Sequence, residues 1–359
     1  MTLRLIDGFD YMPVNAGGGV WSAFGWSGDT PALNVCDPSL TAFGYGRAMN
    51  MALNENDYTV YRNLRGRYTS ALTHTVWGCR MLVPVGSPRI DILMLDTMGG
   101  GGQFALHFTN TGNIQFTSFG GTVFSTPAWA FFPGRWFFLE VKWKSGTGTS
   151  GTVEVRVNTV PVLSFPAIDT AGGTTSGGIA HGVDVLQMHA SGTGGGGHLI
   201  DDMYLLDSAG SVNNDYLGNV RAQYLAPNGD STPLQFTIGG SAPAATNWQS
   251  VLNSALNDTK YVYDTTPGDI DQYTVDPILN TPFVHGVEIG GAYRMDDATQ
   301  RVVRNAFKTN ATQYDGGVDY YTNQFYTYYP DVIELNPFTG VSFTGSEANA
   351  LTIGPKVIT

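Results

Sequence analysis

Charge is scarce in this chain. Asp, Glu, Lys and Arg make up 13% of its 359 residues, against about 25% in an average soluble domain. Glu and Lys are the rarest of them, with six and five copies. A disordered acidic protein needs dense charge and low hydrophobicity, yet 42% of this sequence is hydrophobic. A coiled coil or helical bundle needs Glu, Lys, Ala and Leu in quantity. Both classes are excluded. Cysteine is nearly absent: Cys36 and Cys79 are the two copies. They are read as free, buried thiols, and their spacing does not support a disulfide.

Other absences narrow the function. No apolar run reaches the roughly 18 residues of a membrane-crossing helix. No basic segment followed by an apolar one opens the chain, so a secretory signal is not expected. The net charge is −12, and Arg62, Arg65 and Arg67 are the only basic cluster, so nucleic-acid binding is not expected. The sequence has no G-x-x-x-x-G-K-[ST], H-E-x-x-H, C-x-x-C or G-x-S-x-G run, which removes the common phosphate, zinc and serine-hydrolase signatures. The E-x-D-x-x-E strand of laminarinase-type sandwich glycosidases is missing too. Glu140 and Glu154 alternate with Lys142 and Arg156, and are read as solvent-face charges.

Glycine is abundant instead, with 46 copies. It has no three-residue period, which rules out collagen. Gly, Asn, Asp, Ser and Pro clusters separate runs of aromatic and β-branched residues, the pattern of strands and turns. Strands are expected at Val76–Val83, Ile90–Asp96, Gln103–Thr109 and Ile114–Phe119, as an antiparallel meander. Further strands are expected at Arg135–Lys144, Val153–Val157, Val160–Phe165, Val183–Ala190 and His198–Asp207. Leu139, Val141 and Trp143 alternate with charged neighbours, as do Val153, Val155 and Val157. Two such alternating layers predict an all-β, antiparallel two-sheet jelly-roll sandwich over 1–210.

A second, smaller β-rich domain is expected over 211–359. It starts loop-rich and holds one helix, with Asn247 as N-cap and Trp248, Val251, Leu252, Ala255 and Leu256 on its apolar face. Phe283–Met295, Gln300–Thr312 and Asp319–Ile333 read as a second meander. Tyr320, Tyr321, Phe325, Tyr326, Tyr328 and Tyr329 suit an interface, because Tyr joins a large apolar area to a polar tip.

Candidate chemistry is sparse. Asp201 and Asp202 are the most suggestive acids. A strand end can offer carboxylates to calcium, which takes six to eight oxygens. Adjacent residues face opposite sides of a strand, so both could ligate only if a bulge intervened; a turn cap or an Arg pair is the plainer role. His189 and His198 flank a Gly-rich loop, but zinc would need more ligands. No other cofactor is indicated.

Trp136 to Gly218, with Arg135 just before it, carries R-W-F-F-L-E-V-K-W, then G-T-V-E-V-R-V-N-T-V-P-V-L-S-F, then H-L-I-D-D-M-Y-L-L-D and N-D-Y-L-G. This order resembles the laminin-G/concanavalin-A-like jelly roll of bacteriophage virion proteins. Asn158-Thr159 stands where that family often has Asn-Gly. The segments 217–230, 261–271 and 336–351 also resemble landmarks of those proteins. The resemblance implies a non-enzymatic virion structural protein: a tail, fibre-associated or surface decoration component that contacts a host surface. Its implied partners are other virion proteins, copies of itself and a host glycan, with no membrane or nucleic acid. It would assemble in the host cytoplasm, with the Tyr320–Tyr329 face covered in the particle. The alternative is a carbohydrate-binding, lectin-like module, for which Trp21, Trp26 or Trp129 would be the sugar contacts if exposed, although core packing is the plainer fate of each. A polysaccharide-degrading enzyme is the third reading.

Overall fold

A computed structural model describes residues 2–12, 26–28, 33–35, 46–51, 58–63, 73–86, 90–96, 101–118, 123–170, 185–190, 198–207, 209–252, 256, 258–278 and 283–359. The chain divides into two compact units, Met1–Ala222 and Gln223–Thr359. Among the described residues the two helices are short, Asn247–Val251 and Gly345–Asn349. No described helix is long and apolar enough to cross a membrane.

The first unit is a sandwich of two antiparallel sheets. The eight-stranded sheet runs Val160–Ile168, Gly151–Val157, Trp136–Lys144, His74–Leu82, His198–Asp207, Met49–Met51, Leu33–Val35, with Thr2–Asp7 also paired to His198–Asp207. The seven-stranded sheet runs Val123–Ser125, Ile114–Ser118, Gly101–Phe108, Ile90–Asp96, Val185–Ala190, Tyr58–Asn63, Trp26–Gly28. The expected first meander is therefore split. Its first strand lies in the larger sheet, and the chain crosses to the smaller one before Ile90.

Alternation builds the core. Leu139, Val141 and Trp143 are buried, and their cross-strand partners Val157, Val155 and Val153 are buried with them. Phe104 of the smaller sheet meets Trp143 with ring centroids 5.7 Å apart, and Phe108 meets Phe137 at 6.3 Å. These aromatic pairs close the space between the layers, where large rings contribute most of the buried apolar area. Asn158 and Thr159 both adopt left-handed φ values, 50° and 72°. That is the two-residue hairpin geometry whose twist matches its strands, formed here with Thr in the place Gly usually takes.

In the second unit a six-stranded sheet runs Pro227–Leu234, Asp271–Val275, Thr352–Val357, Val302–Thr309, Thr312–Asp315, with Tyr320–Tyr321 also paired to Val302–Thr309. Val287–Tyr293 pairs instead with Thr327–Ile333 as a separate ribbon. The three-run meander expected from the sequence is thus not formed. Asn310 and Ala311, both left-handed, turn the chain tightly, and Val302–Thr309 pairs on its other side with the C-terminal strand. Asn305 joins the sheet to the ribbon. Its Nδ2 donates to Tyr329 O (2.7 Å) and Asp331 Oδ2 (2.9 Å), and its Oδ1 accepts from Tyr293 (2.6 Å).

The helix near Trp248 is shorter than its apolar spacing predicts and begins one residue earlier. Thr246 is the N-cap, and the helix stops at Val251. Asn247 is drawn inward because its Nδ2 donates to Asp271 Oδ2 at 2.7 Å and to Phe236 O at 2.9 Å. The last helix carries a complete Thr344–Glu347 capping box, which satisfies two otherwise unpaired amides.

Candidate functional site

The outer face of the larger sheet is covered by the chain's own residues. Glu140 is buried, which corrects its reading as a solvent-face charge. Alternation does place it away from the core, but residues 215–222 lie over that face as a strap. Tyr204 donates to Glu140 Oε1 at 2.6 Å, and the Gly218 amide donates to the same oxygen at 2.8 Å. Asp215 pairs with Lys142 at 3.0 Å, and Tyr216 lies under the Arg156 guanidinium, 3.7 Å from ring centroid to carbon. Burial, then the Glu140 charge, pushes the Tyr204 hydroxyl well above its ordinary range, so it stays a donor. This strap keeps residues 211–222 with the sandwich, although the sequence reading divided the chain at 210/211.

Asp201 and Asp202 sit where the pairing with His74–Leu82 slips register, and Asp202 has φ 51°. The bulge that shared ligation would need is present, and both acids are buried. Protein groups occupy Asp202: Arg80 Nε donates to Oδ2 at 2.8 Å, and the Ala222 amide donates to Oδ1 at 2.9 Å. Asp201 Oδ1 accepts from the Asp202 amide at 2.8 Å. Burial, then the neighbouring Asp202, pushes the Asp201 carboxyl up to about 9. Among the described residues, no group of three or more His, Cys, Asp or Glu could hold a metal ion.

The other candidates separate. His198 lies in the larger sheet, and burial lowers it to about 3; His189 belongs to a strand of the smaller sheet, so the two do not form a hairpin. Of the tyrosine-rich run, Tyr321 and Phe325 are the exposed members, at 59% and 78%. Tyr320, Tyr326, Tyr328 and Tyr329 are half-buried, with hydroxyls donating to Pro330 O, Asp258, Glu288 and Tyr321 O. Cys79 is a buried free thiol that burial raises further. Cys36, Trp21, Arg65 and Arg67 lie outside the described residues.

The three tryptophans proposed as sugar contacts do not share one fate. Trp26 is fully buried, and its indole donates to Asp7 Oδ2 at 3.0 Å. Trp129 is 64% exposed, beside Phe132 at 57%, with ring centroids 5.9 Å apart. Both line a cavity of about 480 Å³ with Arg135, Asn158 and Val160. Small-molecule pockets span roughly 300–1,000 Å³. The loop that carries the rings is pinned at several points. Ile114 N donates to Thr126 Oγ1 at 2.8 Å, Phe131 N to Gly112 O at 3.2 Å, and Gly134 N to Val83 O at 2.6 Å. Buried Phe131 anchors it against Phe137, 4.8 Å between centroids. Gly112 has φ 79°, and a Cβ there would stand 2.3 Å from Phe131 O and 3.2 Å from Trp129 Cα. Trp129 itself is left-handed, φ 70°, which is a genuine outlier for a bulky residue.

No protein-family model and no curated protein matches the sequence. Solved structures resemble it in part. An alginate lyase, Aly36B, solved with alginate trisaccharide, is 15% identical with a TM-score of 0.38, over 56% of this chain and 97% of the lyase. A carbohydrate esterase, vb_24B_21, from the Shiga toxin-encoding bacteriophage phi24B is 11% identical with a TM-score of 0.38, over 57% of this chain and 97% of the esterase. A sialidase is 11% identical with a TM-score of 0.40, over 57% of this chain but only 18% of the sialidase. These proteins are described as carbohydrate-active enzymes, and that overturns the expectation of a non-enzymatic chain. That expectation rested on the resemblance to virion structural proteins and on missing motifs, the E-x-D-x-x-E strand among them, and the absence of a motif excludes only the chemistry that uses it.

Proposed function

We propose that this chain recognises carbohydrate, with Trp129 and Phe132 as the platform on which a sugar ring lies. The observation that carries the reading is Trp129: a large ring, mostly exposed, on a left-handed backbone that a pinned loop holds in place. Strained residues persist where the surroundings over-determine them, and they cluster at ligand sites. One face of a pyranose ring is lined with C–H groups and packs against an aromatic face, which is electron-rich, while its hydroxyls stay near water. The cavity supplies both environments. Asn158 uses its Oδ1 to accept from Phe138 N at 2.9 Å, which orients its amide NH2 as a donor for a sugar hydroxyl. A few placed polar groups in an apolar concavity are what fixes the orientation of a small ligand.

The resemblance of residues 136–218 to bacteriophage virion proteins supports placing this activity on a phage particle, where the glycan would belong to the host surface. Mass spectrometry of purified particles tests that placement.

A glycan array followed by calorimetry tests the binding itself. Trp129→Gly removes the ring and suits the left-handed φ, so the sandwich should keep its melting temperature. The expected result is at least a tenfold loss of affinity. Unchanged affinity in a folded Trp129→Gly protein would overturn the reading.

A further inference from the structure

The same cavity holds one cation and no acid. Arg135 lines it with Trp129, Phe132 and Asn158, and no Asp or Glu is among the lining residues. Arg135 is exposed, and its side chain makes no ion pair or hydrogen bond among the described residues. Most of the described arginines differ from it in this respect. Arg4, Arg80, Arg156, Arg294, Arg301 and Arg304 each have a carboxyl partner within 3.0 Å. Its backbone is held: Arg135 N donates to Phe132 O at 3.1 Å, and the adjacent Gly134 N donates to Val83 O. The guanidinium therefore starts from a fixed point at the rim of the aromatic platform.

We infer that the ligand is a carboxylate-bearing sugar, of the uronic-acid class, whose carboxylate pairs with Arg135 while its ring lies on Trp129 and Phe132. The inference rests on the carbohydrate reading above and deepens it. Guanidinium is planar and offers parallel N–H donors that match a carboxylate two-to-two, an arrangement stronger and more directional than neutral hydrogen bonding. Lys could not reproduce it, because its ammonium is a compact point charge. A neutral sugar would leave that donor set to water. The ring stacking supplies affinity for either sugar, and Arg135 supplies the discrimination between them.

The test uses the full chain and two ligands: an oligouronate, and the same oligosaccharide with its carboxyl groups reduced to alcohols. Wild type is expected to bind the oligouronate at least tenfold more tightly, with that advantage shrinking as salt is raised. Arg135→Gln is expected to erase the difference, bringing the oligouronate and its reduced form to the same affinity. Trp129→Gly should weaken both. Equal wild-type affinity for the two ligands, or a uronate preference that survives Arg135→Gln, would overturn this inference and leave the platform standing. Failure of wild type to bind either ligand while it binds other glycans would do the same. Insensitivity of both ligands to Trp129→Gly would instead remove the platform.

Discussion

Tyr204 reaches across Gly78 to donate its hydroxyl to Glu140, with 2.6 Å between the two oxygens. Gly78 is the cross-strand neighbour of both residues. Its missing side chain is the space in which the Tyr204 ring lies. The ring in turn stacks on Phe138, 6.4 Å between centroids, and accepts the Leu217 amide on its hydroxyl at 3.2 Å. One small residue at the centre of the sheet thus permits the polar network that ties down the strap. Buried polar groups of this kind stabilise to the extent that they are satisfied: Glu140 takes two donors on Oε1, while its buried Oε2 has no hydrogen-bond partner among the described residues.

Gly78→Val should be strongly destabilising. An added Cβ would stand 2.3 Å from Tyr204 Cε1 and 2.7 Å from Cζ. The ring must leave, and with it the donor to Glu140. Overpacking costs about 1–3 kcal/mol, and a buried acceptor stripped of one donor adds about 1–3 kcal/mol more. Chemical denaturation of the full chain should show the first unit unfolding at lower denaturant. Pairing the change with Tyr204→Leu should recover part of the loss, because the clash is with the ring.

Asp201 gives the sandwich a pH dependence of defined sign. Burial first, and the Asp202 charge second, raise its carboxyl to about 9 in the fold, whereas an unfolded Asp titrates near 4. Below about pH 4 both states hold the proton, and the contribution to stability is complete. As pH rises from there the unfolded state gives up its proton while the fold keeps it, so stability is lost up to about pH 9. Asp201→Asn keeps an Oδ1 to accept from the Asp202 amide and has no proton to lose. Its melting temperature relative to wild type should therefore climb between pH 5 and pH 9. A difference that stays constant over that range would show that Asp201 ionises normally in the fold.

Much of the sandwich was legible because one rule, apolar alternation, governs a strand with one dry face. Leu139, Val141 and Trp143 obeyed it, and their burial follows. The same rule misplaced Glu140, since alternation says which residues turn from the core and nothing of what covers them. A covering strap is a long-range event. It is encoded in Tyr216, Gly218 and Ala222, which read locally as loop. For Asp202 the plainer role weighed from the sequence, a pair with an Arg, is the one formed, but its partner Arg80 and the Ala222 amide are distant in sequence, so neither they nor the bulge could be located locally. In the second unit, the Phe283–Ile333 runs were visible as strands, but partner choice depended on the C-terminal strand. The binding platform was half legible. Tryptophan content marked Trp21, Trp26 and Trp129 equally, whereas exposure distinguishes Trp129 from Trp26. Arg135 carried no local signal, because what marks it is the absence of an acid around it in space.

The platform makes a last prediction possible, in which a residue that touches no ligand controls binding. Gly112 lies under the loop that carries Trp129. It is left-handed, φ 79°, and accepts the Phe131 amide on its carbonyl. Gly112→Ala introduces a Cβ that would sit 2.3 Å from Phe131 O and 3.2 Å from Trp129 Cα. Backbone atoms cannot rotate away as a side-chain tip can, so the 129–131 segment must move outward. The left-handed φ adds about 1–2 kcal/mol for a non-glycine residue. The sandwich core, built from Phe104, Trp143 and Val155, lies in other elements and should remain folded, with a melting temperature lowered by several degrees. Affinity for sugar should fall by tenfold or more, since a displacement of about 1 Å is enough to spoil a preorganised site. Calorimetry on the folded variant reads this directly. Full affinity in Gly112→Ala would mean that the loop's fixed backbone does not set the platform, and that Trp129 binds by adapting to its ligand.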